Sequence, residues 1–290
     1  MSEDKFRLPT EIPLEIYPSP EEFVEEAKSI VREAGEKGIV LRVMGGLGIY
    51  ILIQNTEYED LWRRLERLGE RVFTDIDLAG YGKDRERVLK FLTEERASCV
   101  YQIWRPSLYY YRGSRYIFYG CPEGCEFPKG KGCKIPMVEV FFDRLQMNHT
   151  IEFKGRLEHG EYALPLTEIL LTKLQIVKIN EKDIKDAIVL LSAFEIGSSD
   201  KEGINGDYIA SLMSKDWGFY YTFTTNLRKV KEYAANKYRD KLSEDNIKKV
   251  SDRVDHLLKL IEDRPKSMGW KLRAKVGPKK KWYNEVDDWY

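Results

Sequence analysis

Two carboxylates stand one residue apart in "FTDIDLAGYG", residues 73–82, inside a run that otherwise reads as a buried strand. Side chains alternate faces along a strand, so Asp75 and Asp77 share a face with Cα atoms about 7 Å apart. Val72, Thr74, Ile76 and Leu78 take the other face. Carboxylates so placed repel unless a proton or a cation intervenes. Magnesium suits them, because it takes carboxylate oxygens and keeps positions for water and substrate phosphates. The competing reading is an edge strand whose aspartates face water.

Gly45-Gly46 adds a second feature about 30 residues upstream. A helix that starts behind a glycine turn presents bare N–H groups and its positive dipole end, a favourable place for phosphate. In "KIPMVEVFFDRL", Glu139 lies on an apolar strand with Val138 and Val140 on the opposite face. Brought beside Asp75 and Asp77 by sheet pairing, it completes a metal site or accepts a proton from an attacking hydroxyl. Asp143, two steps along the same face, is the reserve for that role.

The combination of "VMGGLGIYIL", "FTDIDLAGY", a third acidic strand and "LPLTEILLTKLQIVKINEKDIKDAIVLL" resembles the nucleotidyltransferase superfamily that includes DNA polymerase beta. It is more closely similar to the bacterial and archaeal proteins grouped with the AbiEii toxins. The resemblance covers roughly residues 20–195. It implies that Gly45 and Gly46 line a triphosphate, that Asp75 and Asp77 hold Mg²⁺ or Mn²⁺, and that Glu139 takes the third-carboxylate position. It also implies an NTP substrate and a hydroxyl acceptor on RNA such as tRNA, on protein or on a small molecule. The family commonly has aspartate at the third position and serine after the first glycine, and this chain has neither. A nucleotide- or RNA-binding module of degenerate fold, without catalysis, is the alternative.

Lys173, among Leu170, Leu171, Leu174 and Val177, needs an anionic partner if buried. The resemblance implies a nucleotide phosphate, and the residues alone allow a snorkelling flank lysine. In "NEKDIKDAIVLL", Asn180 suits a helix cap, Asp183 the first turn, and Lys182 pairs with Asp186 at i,i+4. By resemblance Lys182, Asp183 and Asp186 lie near the nucleotide. His149 is either a polar contact at the mouth of the site or a strand-end histidine.

These residues need a scaffold. "SPEEFVEEAKSIVREAGEKG" carries helix signals: Ser19 as N-cap, Pro20 at the first position, Glu22 for a capping box and Gly38 as stop. A strand over 39–44 meets the glycine pair, an apolar helix follows, and helices are expected over 58–69 and 83–95. From about 98 to 157, short β-branched and aromatic runs predict mostly antiparallel strands. Pro165 marks a change to helical patterning. The expectation is an α+β (mixed α/β) nucleotidyltransferase-like domain over 1–163, its partly antiparallel sheet flanked by helices, followed by a mainly helical domain over 164–290.

Lys+Arg and Asp+Glu are equal at 48 each, so affinity for nucleic acid must be local. The tail "WKLRAKVGPKKKWYNEVDDWY" is the one basic and aromatic run: either it grips nucleic acid or its aromatics dock while its lysines are solvated. No run nears the roughly 18 apolar residues of a membrane span, and the opening residues lack a signal peptide's apolar core, so a cytoplasmic protein is expected. High Glu and Lys with four Gln leans toward a thermophile. Cys121, Cys125 and Cys133 crowd one segment while Cys99 stands apart; they stay free, pair, or hold zinc with Cys99 or a histidine.

Overall fold

Ser19 opens the first helix through two reciprocal bonds. Its hydroxyl accepts from the Glu22 N–H at 3.2 Å, and the Glu22 carboxylate accepts from the Ser19 N–H at 2.9 Å. The helix, α1 (Pro20–Glu36), buries Phe23, Val24, Ala27, Ile30, Val31 and Ala34, and Gly38 closes it at φ +67°. These features belong to a computed structural model that describes residues 8–67, 69, 71–105, 115–124, 126–127 and 130–286. Cys125 lies outside the described residues.

The chain divides into two units. The first comprises 1–52, 68–145 and 152–164; the second comprises 53–67, 146–151 and 165–290. The architecture is mixed α+β.

The first unit is built on a five-stranded sheet: β1 (Leu41–Val43), β2 (Ile76–Gly80), β3 (Gln102–Ile103), β4 (Arg115–Tyr119) and β5 (Met137–Phe142). The order is β1-β2-β5-β4-β3. β1 runs antiparallel to β2, β2 parallel to β5, and β5–β4 and β4–β3 are antiparallel. A parallel neighbour requires a crossover. Here it runs from Tyr81 to Pro136 and includes α4 (Arg85–Lys90), β3 and β4. Ile76, Leu78, Val138 and Val140 on one face are completely buried, which is what fixes the register. Between β1 and β2 stands α2 (Gly45–Ile53). The expected strand over 39–44 is therefore shorter, and the helix begins on Gly45 itself. The strand expected around Asp75 is also shorter: β2 starts at Ile76, so Asp75 precedes it.

The second unit is helical: α3 (Glu57–Arg64), α5 (Leu166–Leu174), α6 (Glu181–Ala193), α7 (Gly206–Met213), α8 (Trp217–Glu232), α9 (Glu244–Asp263) and α10 (Met268–Val276). Polar side chains cap most of these helices, including Asn180 for α6, whose oxygen accepts from the Asp183 N–H at 2.9 Å. α6 is the central helix and packs on α3, α5, α8 and α9. The aromatics of the basic tail dock. Trp270 meets Tyr220 edge-on at 5.1 Å, Trp282 meets Tyr221 at 5.0 Å, and the Trp282 indole N–H donates to Thr222 Oγ1 at 3.0 Å. Lys271, Lys275 and Lys279–Lys281 stay exposed. Among the described residues, no helix is long and apolar enough to cross a membrane.

Candidate functional site

In the first unit, sheet pairing brings two of the three expected carboxylates side by side. Asp77 on β2 is in register with Glu139 on β5, so the two side chains leave adjacent strands on the same face. Asp77 is half-buried and Glu139 is 4% exposed. A carboxylate that deep needs positive charge, and Arg115 on β4 supplies it: Nη1 lies 3.0 Å from Glu139 Oε2. Arg115 is opposite Phe141, so it reaches Glu139 diagonally across the strand pair.

Gly45 completes this corner. Its φ is +68°, a backbone state that glycine adopts without cost, and a Cβ there would lie 2.8 Å from Asp77 Oδ2. The missing side chain is what lets the Asp77 carboxylate sit against the first residue of α2. The main chains are joined as well, since the Met44 N–H donates to the Asp77 carbonyl at 2.8 Å. The positive end of α2 thus favours an anion where Asp77 stands, with Gly46 next along the helix.

Asp75, half-buried, has a different setting. Thr74 Oγ1 donates to its Oδ1 at 3.1 Å. The Tyr17 hydroxyl is pushed up to about 12 by its own burial first and by the Asp75 charge second, with Arg71 acting in the opposite sense. Tyr119, on β4, is likewise raised by burial and then by the Glu139 charge.

The reserve residue Asp143 does not share the face of Glu139. β5 ends at Phe142, and Asp143 turns to φ +65°, which breaks the alternation. It is exposed, and its Oδ1 accepts from the Gly82 N–H at 2.8 Å, tying down the turn after β2.

The residues expected near the nucleotide from the helical half lie in the second unit. Lys173 is 6% exposed, and its Nζ lies 3.0 Å from Asp183 Oδ1 and 2.9 Å from Asp186 Oδ2. Asp186 is fully buried and also meets Arg67 Nε at 2.7 Å. Burial works against the charge of Lys173, yet the Asp186 and Asp183 carboxylates hold its pKa above the ordinary value. Burial likewise opposes ionisation of Asp186, while Lys173 and Arg67 hold its pKa below the ordinary carboxylate range. The i,i+4 pairing expected from Lys182 gives way to these deeper partners, because Asp186 faces the interior and Lys182 is half-buried on the helix flank. His149 is also internal. Its Nε2 is 2.9 Å from Thr222 Oγ1, and its ring stacks on Phe219 at 4.8 Å.

Arg115 and Arg67 were missed from sequence. Each pairs with an acid distant in the chain, and the one available signal was that Glu139 and Asp186, on apolar stretches, required a cation.

No family model, no curated protein and no solved structure matches the chain.

Proposed function

We propose that the chain is a metal-dependent nucleotidyltransferase that moves a nucleoside monophosphate from an NTP to a hydroxyl and releases pyrophosphate. The observation that carries this reading is the in-register Asp77–Glu139 pair standing where Gly45 leaves room at the start of α2. The donors are all carboxylate oxygens, which fits a hard divalent cation such as Mg²⁺ or Mn²⁺. Asp77 and Asp75 would hold it. When bound, such an ion neutralises charge on the triphosphate oxygens.

The chain's own groups then divide the remaining work. The Gly45-Gly46 end of α2 offers backbone N–H groups and dipole to the phosphates. Glu139 faces the same side as Asp77 and takes the proton of the attacking hydroxyl. Arg115 fixes the Glu139 carboxylate in place. Most of the rate enhancement comes from positioning and charge neutralisation of an in-line displacement. The paired, buried Lys173, Asp183 and Asp186 are given a structural part, with Lys182 on the same helix.

The ion pair at Glu139 favours a second reading, a nucleotide- or RNA-binding module without catalysis, because a carboxylate held by arginine is a weaker base. One experiment separates the two. The protein is incubated with each labelled NTP and Mg²⁺ in the presence of RNA, protein and small-molecule hydroxyl acceptors, and pyrophosphate release and nucleotide binding are both measured. Transferase activity predicts pyrophosphate from the wild type and at least a hundredfold loss in Asp75→Asn and in Asp77→Asn, with circular dichroism unchanged. Full activity in both variants overturns the transferase; tight binding with no pyrophosphate from any acceptor establishes the module.

A further inference from the structure

The cysteine segment takes no part in the proposed transfer, yet among the described residues it contributes to a cluster of His, Cys, Asp or Glu ligand atoms close enough to hold a metal ion. Cys99 and Cys133 form a disulfide across 34 residues of sequence. Beside it, a ligand-capable oxygen of Glu26 and the two sulfurs all lie within 4.8 Å of one another. Arg96, its side chain completely buried, lies 4.0 Å from the Cys99 sulfur and 3.8 Å from that of Cys133. It is ion-paired to Glu26 and to Glu33. Burial tends to raise the pKa of Glu33, but the hydrogen bonds from Arg96 and Ser29 leave it lowered. The Tyr101 hydroxyl donates to Glu26 Oε1 at 2.7 Å. A solvent-open groove of about 610 Å³, lined by Glu22, Glu25, Glu26, Ser29, Cys99 and Lys134 among others, leads to this cluster.

While the sulfurs are bonded to each other they are neutral, and Arg96 balances part of the charge of Glu26 and Glu33. Reduction changes that balance. A dithiol thiolate attacks one sulfur, the mixed disulfide is resolved by the second thiol, and the dithiol leaves as its own disulfide. Two electrons pass to the chain, and Cys99 and Cys133 become thiols. The adjacent Arg96 guanidinium favours their thiolate forms. Two thiolates then join Glu26 and Glu33 around Arg96, with Lys28, Arg32, Lys131 and Lys134 along the groove, and a divalent cation bound directly by the sulfurs offsets the added negative charge. Two sulfurs and one carboxylate oxygen are a donor set for zinc, in which Zn–S is about 2.3 Å and the sulfurs of a tetrahedral site sit about 3.8 Å apart.

We propose that reduction of the Cys99–Cys133 disulfide opens a zinc site made by Cys99, Cys133 and Glu26, with its fourth position facing the groove. Tyr101 and Arg96 orient the Glu26 carboxylate from behind. The thiol protons are released to solvent as the metal binds.

Cobalt(II) is the probe, added to the 290-residue chain before and after reduction by a phosphine. The reduced protein is expected to show sulfur-to-cobalt absorption that saturates at one Co²⁺ per chain, and the oxidised protein no such absorption, whatever Co²⁺ the carboxylates of Asp75 and Asp77 take up. The Cys121→Ser/Cys125→Ser variant should keep that absorption, Cys99→Ser should lose it, and Glu26→Gln should weaken affinity at least tenfold. Glu26→Gln keeps both sulfurs, so it remains decisive should Cys99→Ser fail to fold. Absence of sulfur-to-cobalt absorption from the reduced chain, absorption surviving intact in Cys99→Ser, or wild-type affinity at that band in Glu26→Gln each overturns the proposal.

Discussion

Gly45 and Asp77 share a space that can hold only one side chain. Gly45→Ala would put a methyl group 2.8 Å from the Asp77 carboxylate and impose a side chain on a backbone at φ +68°. The strain costs about 1 kcal/mol or more, but the larger expected effect is displacement of Asp77. If the proposed transferase reading holds, transfer activity should fall at least tenfold while the thermal midpoint drops by only a few degrees, a split read by pyrophosphate assay beside calorimetry. Alternation along a strand made Asp77 and the face of Glu139 legible in the sequence, because period two is set by the pleat. It misled for Asp143, which turns to φ +65° after the end of β5, while Asp75 stands one residue before β2. Strand ends depend on pairing with distant residues, and no local pattern records where that pairing stops.

At the scale of elements, the buried cluster of Lys173 on α5 with Asp183 and Asp186 on α6 joins two helices through charge as well as apolar packing. Lys173→Met leaves buried Asp183 without its cation and Asp186 with Arg67 alone, and is expected to destabilise the chain by about 3–5 kcal/mol, measured by urea unfolding. Adding Asp183→Leu to the same chain should restore part of the loss, since it removes the charge whose cation is gone while Asp186 keeps Arg67. A double variant no more stable than Lys173→Met would count against this account. Helix starts were the most legible elements: Ser19 and Asn180 both cap as expected, because capping chemistry lies within four residues. The sheet order β1-β2-β5-β4-β3 was not legible, because it depends on a crossover of more than fifty residues.

For the molecule as a whole, equal numbers of acidic and basic residues give no net push from charge, so the pH response rests on particular buried groups. His149 is pushed down to about 4 by burial, with the Asp216 charge acting in the other direction. The unfolded chain takes up this proton first, so the stabilisation is complete above the ordinary value of 6.5 and is lost as pH falls toward 4. Asp186, held below its ordinary value of 3.8, adds a second loss as pH falls through its folded pKa. Thermal melts should therefore decline from pH 6.5 to 4, by no more than about 3 kcal/mol from His149. His149→Gln should flatten that part of the curve. An identical slope in the variant would remove His149 as the cause. The change from mixed to helical patterning at Pro165 was plain in the sequence, whereas the membership of residues 53–67 in the second unit was not, since grouping is decided by packing partners far along the chain.

That membership bears on how the chain is made. α3 leaves the ribosome with Leu61 and Trp62, which the finished structure buries to 1% and 5% exposure. Its packing partner α6 is synthesised more than a hundred residues later. For that interval α3 carries an uncovered greasy face. A fragment stopped at residue 164 never covers it, and so is expected to be sticky where the whole chain is not.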